Sequence, residues 1–288
     1  MKLMMFQRGR STVLGLVEGK AVIDLGIADP ALPRDLKSLI AAGVGALAAA
    51  KAAAANAPAS ARFVLDAMKP ALPIAHPTKF ICVGLNYALH AKEGGHEIPT
   101  YPSFFLRVPT SLVAAGAPVT RPKASIQLDY ECELTIVIGK GGRNIPEEKA
   151  LDHVFGYTLF NDVSVRDFQR KTSQWMPGKN FDGTGPLGPW IVTADELPAG
   201  ASGLRITTRV NGETMQDSNT SDMIFSTART IALLSEFMTL EPGDLIATGT
   251  PSGVAHARNP PAWMKAGDTV AVEVERIGVL TNPVVDEA

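Results

Sequence analysis

An α+β fold rich in β-structure, opening with a small β-rich domain, is what the sequence predicts, and three observations carry that reading. Short apolar runs of strand formers, separated by turn signals, fill the chain beyond residue 79. They do not alternate regularly with helices, which argues against a doubly wound parallel sheet. One long stretch among them, Asp222 to Leu240, has the apolar periodicity of an amphipathic helix.

In chain order, Thr12 to Leu25 (TVLGLVEGKAVIDL) places apolar segments on either side of Glu18-Gly19-Lys20, a hairpin signal. Asp35 to Ala55 reads as a helix with an Ala-rich tail, more a surface element than a functional one. Asn56 to Ser60 and the prolines from Pro70 to Pro77 read as linker. The small N-terminal domain is therefore placed at residues 1–70 and the larger, catalytic domain at residues 71–288. Phe80 to Asn86 reads as a strand running into a short helix, Tyr87 to Gly94. Gly94 to Pro102, with two glycines and two prolines, then leads to a strand at Ser103 to Arg107 and suits a lid that closes over substrate; the plain alternative is a surface loop. Further strands are expected at Leu128 to Ile138 and His153 to Asp162, a turn at Asn211-Gly212, and a closing strand pair around Val270 to Val279.

Composition narrows the function classes. A chain of 288 residues can bury a large core, and 45% hydrophobic with 19% charged residues is ordinary for a soluble globular protein. A formal charge of −2 leaves no basic footprint for nucleic acid and no polybasic patch for a membrane. Small molecules and further copies of the chain are the expected partners. Met1 to Arg10 has no long apolar stretch and so does not look like a signal peptide, and Lys51 interrupts the apolar Ile40 to Ala50 well short of a membrane span. Cys82 and Cys132 sit in apolar runs without CxxC spacing, so buried free thiols and a cytoplasmic location are expected.

The most telling run is Leu128-Asp-Tyr-Glu-Cys-Glu-Leu-Thr-Ile-Val-Ile-Gly139. Alternate residues of a strand share a face, so Glu131 and Glu133 point the same way with Cβ atoms about 6 to 7 Å apart. Asp162, ending the next strand, supplies a third carboxylate. Three carboxylates without neighbouring Cys or His favour Mg²⁺, with Mn²⁺ or Ca²⁺ as alternatives, over zinc. The plain alternative is the solvated face of an antiparallel sheet. His90 and Glu93 lie three apart on the short helix, so Glu93 can orient His90 as a general base, or the two form a surface pair.

Other chemistries lack their signatures. Gly183-Thr-Gly185-Pro-Leu-Gly188 fits GxGxxG, but Pro186 and Pro189 forbid the helix that a dinucleotide fingerprint opens. There is no GxSxG, HExxH or P-loop motif.

Four motifs together resemble the fumarylacetoacetate hydrolase family: Glu131-Cys-Glu133; Asn161-Asp162-Val-Ser164-Val-Arg166-Asp167-Phe-Gln169; Gly178-Lys179-Asn-Phe-Asp182; and Thr248-Gly-Thr250-Pro-Ser-Gly-Val254. Their order and spacing match from about Lys79 to the C-terminus. A fifth run, Gly84-Leu-Asn86-Tyr87-Ala-Leu-His90-Ala-Lys-Glu93, is closely similar to the family's stretch carrying a His and Glu pair. The resemblance implies a mixed β-sandwich roll and a homodimer or larger homo-oligomer. It implies a divalent metal on Glu131, Glu133 and Asp162, and His90, Glu93 and Lys179 as catalytic residues. Arg166, Gln169, Thr250, Tyr87 and Arg107 are the expected substrate contacts, Arg107 standing where the family often has lysine. The structural alternative is that Arg166 pairs with Asp167 and that Ser164 with Asp167 caps a helix, which would also position Arg166. The activity implied is hydrolysis of the C–C bond of a 2,4-dioxo acid, acylpyruvate or diketo deoxy sugar acid, to pyruvate and a carboxylic acid. An isomerase, decarboxylase or lyase acting on oxaloacetate, ureidoglycolate or a hydroxymuconate-type diacid on the same metal platform is the alternative.

Overall fold

Strand-forming sequence dominates the computed structural model, which describes residues 1–288. A twelve-stranded sheet runs in the order Arg62–Val64, Ala21–Asp24, Ser11–Glu18, Lys2–Arg8, Gly185–Thr193, Val154–Asn161, Cys132–Ile138, Leu245–Ala247, Phe80–Gly84, Ser103–Leu106, with two short strands off this path. A second sheet of five strands, Glu213–Asn219, Arg205–Val210, Thr269–Val274, Gly278–Asp286 and Val119–Arg121, packs on one face of the first. The pleat shows in the Cys132–Ile138 strand. Leu134, Ile136 and Ile138 enter the core shared with Ile206, Val272 and Leu280 of the smaller sheet, whereas Val137 joins a second core with Leu36, Leu39 and Ile40 from the N-terminal helices. The result is the β-rich α+β roll that the sequence predicts.

Two helical expectations are refined. Asp35 to Ala55 divides into Leu36–Ala41, capped by Asp35, and Gly43–Ala55, because Gly43 turns the chain with φ 78°. The Asp222 to Leu240 helix shortens to Thr227–Phe237, since Ser226 caps it by accepting from the Arg229 amide while Thr220–Asp222 forms its own tight turn. The hairpin, the Asn211-Gly212 turn and the closing strand pair form as expected. The GxGxxG-like run enters the Gly185–Thr193 strand and not a helix. Lys2–Arg8 pairs with Gly185–Thr193, so the large sheet continues across residue 70. We propose residues 1–70 and 71–288 as folding units within that shared sheet. No helix is long and apolar enough to cross a membrane, and both cysteines are free and buried.

One buried side chain ties together the segments that present the site. Asn86, between the Phe80–Gly84 strand and the Ala88–Glu93 helix, donates through Nδ2 to the carbonyls of Thr248 (2.7 Å) and Phe225 (3.0 Å) and accepts from the Phe225 amide (2.7 Å). Asn86→Ala strands these groups in the interior and is expected to lower stability by about 3 kcal/mol in urea denaturation with an unchanged m-value. A loss below about 1 kcal/mol would contradict this role.

Candidate metal centre

Strand pairing builds the carboxylate cluster. Cys132 pairs with Asn161, so the segment just before one strand meets the segment just after its neighbour. Glu133 lies on the Cys132–Ile138 strand, Asp162 directly follows Val154–Asn161, and Glu131 falls in a break ahead of its strand. The expected continuous strand is interrupted because Leu128–Asp129 changes partner and pairs with Ser164–Val165. Two backbone amides hold the break: that of Glu131 donates to the side-chain Oδ1 of Asn161, and that of Asp162 to the Glu131 carbonyl, each at 2.9 Å. One carboxylate oxygen from each of Glu131, Glu133 and Asp162 lies within 4.8 Å of the others, and all three residues are buried. The solvated-face alternative is thereby excluded.

Cations surround the cluster. Lys179, itself buried, donates to Glu131 Oε2 and Asp162 Oδ2, both at 2.6 Å. Arg166 donates to Asp129 Oδ2 at 2.7 Å, Glu131 Oε1 at 2.5 Å and Gln169 Oε1 at 2.9 Å. Burial opposes ionisation of Glu131, but Arg166, Lys179 and His90 together hold its carboxyl below the usual range. Glu133 goes the other way: burial, then Asp162 and Glu131, push its carboxyl well up.

The donor set fits a hard divalent cation. Asp129, Glu131, Glu133 and Asp162 face Arg107, Arg166 and Lys179, four acids against three cations, so the charges balance only while Glu133 keeps its proton. Glu133 accepts a single hydrogen bond, from the Gly249 amide at 2.8 Å. Asp162 Oδ1 lies 3.0 Å from Arg107 Nε, yet neither atom has a hydrogen-bonding partner, so the pair is close without the N–H being directed at the oxygen. Carboxylate oxygens short of donors in a buried cluster suit Mg²⁺, Mn²⁺ or Ca²⁺.

A cavity of about 540 Å³ opens over the cluster and is lined by His90, Glu131, Glu133, Asp162, Arg166, Gln169, Lys179 and Thr250 among others. His90 Nδ1 lies 2.8 Å from Glu93 Oε1, and Glu93 Oε2 accepts from the Gly253 amide at 2.9 Å. Glycine is required twice in the Thr248 to Val254 loop. Gly249 (φ 90°) and Gly253 (φ 101°) approach Asn86 and the Met215 carbonyl too closely for a Cβ, and their amides hold Glu133 and Glu93.

Other expected site residues take different positions. Tyr87 and Arg107 are buried and absent from the cavity wall; Arg107 reaches the site through Asp162. The Arg166 guanidinium is engaged by three protein acceptors and does not present a free fork to substrate. Ser164 caps no helix: its hydroxyl donates to the Asp162 carbonyl, and Asp167 accepts from Ser125. The lid segment contributes Gly94 and His96 to the wall.

Sequence reasoning passes over Asp129, which accepts from Arg166, from the amides of Ala255 and His256, and from the His256 ring. The signal was present, since Asp129, Glu131 and Glu133 continue one alternation. Trp175, Phe105 and His256, also on the wall, carry no such pattern.

A buried carboxylate triad at the floor of an open cavity in a β-rich roll defines a class of enzymes acting on small molecules. The chain belongs to the fumarylacetoacetate hydrolase family: the family model described as fumarylacetoacetate (FAA) hydrolase C-terminal matches residues 79–285. A mitochondrial oxaloacetate tautomerase of Xenopus laevis is 43% identical over 293 residues, covering 99% of this chain and 90% of that protein. Among solved structures, fumarylacetoacetate hydrolase from Exiguobacterium antarcticum matches with a TM-score of 0.85 and 36% identity over 100% of both chains. Maleylpyruvate hydrolase from Sphingobium sp. SYK-6, in complex with manganese(II) and pyruvate, matches with a TM-score of 0.82 and 32% identity over 100% of both chains.

Because burial keeps a proton on Glu133 well above the ordinary carboxylate range, an incoming cation displaces it. Divalent-metal affinity is expected to rise with pH, and calorimetry in buffers of different ionisation enthalpy should report net proton release on binding. Affinity that does not rise with pH, without proton release, would contradict the assignment.

Proposed function

We propose that the protein is a divalent-metal-dependent isomerase that interconverts the enol and keto forms of oxaloacetate or a closely related 2-oxo diacid, with Mg²⁺ as its ion. The observation that carries this is the His90–Glu93 pair, a proton carrier with a fixed partner on the same cavity as the carboxylate triad. Similarity over nearly the whole chain to a protein named an oxaloacetate tautomerase supports the substrate. This adopts the isomerase alternative in place of the C–C hydrolase that the sequence first suggests.

Glu131, Glu133 and Asp162 would hold the ion, which when bound supplies Lewis-acid stabilisation where enolate charge develops. Glu93 occupies Nδ1 of His90, leaving Nε2 to take a proton from C3 of the keto form and pass it to the C2 oxygen of the enolate, the opposite transfers restoring the keto form. The Lys179 ammonium adds fixed positive charge beside the same oxygens. Gln169 lends its carbonyl to Arg166 and keeps its amide nitrogen for substrate, and the Thr250 hydroxyl, held by Gln216 at 2.9 Å, is a second polar contact. Trp175 and Phe105, packed edge to face at 5.9 Å, form an apolar wall that limits water.

Hydrolysis of a 2,4-dioxo acid is the second reading, supported by the whole-chain likeness to a maleylpyruvate hydrolase. In that reaction His90 deprotonates a water that adds to C4, and cleavage gives pyruvate and a carboxylic acid. A homodimer or larger homo-oligomer and a cytoplasmic location are part of the proposal; the Xenopus relative is named mitochondrial.

The test follows enol absorbance as enol-oxaloacetate is mixed with Mg²⁺-loaded protein, beside an assay of pyruvate release from acylpyruvates. Enol loss should accelerate, and His90→Ala should slow it by about 10²–10⁴-fold while Mn²⁺ affinity is retained. Pyruvate and a matching carboxylic acid without accelerated enol loss would replace this reading with the hydrolase.

A further inference from the structure

A diacid needs a second anchor, and the cavity wall offers few groups that are both held in place and uncommitted. Lys179 is taken up by Glu131 and Asp162, Arg166 by three acceptors, and His90 by Glu93. His96, Arg170 and Thr172 line the mouth but are exposed. His256 differs from all of them. Its side chain is 12% exposed, its ring Nδ1 lies 3.2 Å from Asp129 Oδ2, and its own amide donates to the same oxygen at 3.1 Å.

Asp129 is a carboxylate held by Arg166, so it can only accept, and the hydrogen of the His256 contact must sit on Nδ1. That fixes the ring and leaves Nε2 as its second polar edge, on a residue that lines the cavity. The contacts also form an alternating row of charge from the triad outward: Glu131 to Arg166 at 2.5 Å, Arg166 to Asp129 at 2.7 Å, Asp129 to His256 at 3.2 Å. With a second proton on Nε2 the ring would continue the alternation, Nδ1–H facing Asp129 and Nε2–H facing a substrate carboxylate.

We propose that His256 is a specificity residue that pairs through Nε2–H with the far carboxylate of a 2-oxo dicarboxylate whose oxo-acid end lies at the triad. The proposal rests on the reading of the triad as the place for the oxo-acid end. It makes Asp129 a positioning residue for His256 and Arg166 together. It also separates diacids from monoacids through a residue that takes no part in the proton transfer.

The experiment uses full-length Mn²⁺-loaded protein and reads binding of oxaloacetate and of pyruvate by stopped-flow tryptophan fluorescence, with turnover of enol-oxaloacetate in parallel. His256→Phe should weaken oxaloacetate binding by about tenfold or more, change pyruvate binding by less than about twofold, and raise KM more than it lowers kcat. His256→Gln, which restores an N–H, should recover part of the loss. Should the Phe variant melt early, His256→Leu reads the same diacid-to-monoacid ratio. Equal weakening of both ligands, or of neither, overturns the proposal while leaving the tautomerase reading intact. Absence of wild-type turnover overturns the tautomerase reading instead, and the binding ratio still decides the role of His256.

Discussion

Everything at this site depends on a cluster of carboxylates taken out of water with too little positive charge to balance it. Desolvating a carboxylate is costly unless it is paired or coordinated. Here Arg166 and Lys179 neutralise Glu131 and Asp162, and Glu133 is left with one amide donor. An apolar core would cost less, so the arrangement is accounted for by binding rather than by stability. The buried cations also show why the cluster tolerates its own repulsion: each carboxylate that Lys179 touches shares its charge with another partner.

The fold supplies this cluster by a register and a loop. Antiparallel pairing of Cys132 with Asn161 brings three carboxylates from two segments together. The Leu245–Ala247 strand, parallel to Phe80–Gly84, then delivers the glycine loop whose amides hold Glu133 and Glu93. Glu133 and the His90–Glu93 pair are thus fixed by one loop, and Asn86 locks that loop to the helix bearing His90.

Much of this was legible in the sequence, for identifiable reasons. Period-two alternation marks Glu131 and Glu133, and spacing of three on a helix marks His90 and Glu93; both signals are local, and both groups come together as expected. Pairings over long separations were not legible. Nothing in the Arg166 neighbourhood says that its partners are Asp129 and Glu131 rather than Asp167, because that depends on the strand switch at Tyr130. Tyr87 and Arg107 carry the residue types of substrate contacts but are buried behind the wall, an outcome that packing decides. His256 has no periodic or motif signal, and only its fold-dependent contact with Asp129 brings it to notice.

The central claim is that Glu131, Glu133 and Asp162 form one cation site facing His90. Its most direct test is the anomalous difference map of crystals grown with Mn²⁺ and pyruvate. One strong peak is predicted within about 2.0–2.3 Å of an oxygen from each of the three carboxylates, with Lys179 displaced from at least one of them. A map with no peak there, or with manganese bound elsewhere while Lys179 keeps both contacts, would contradict the account.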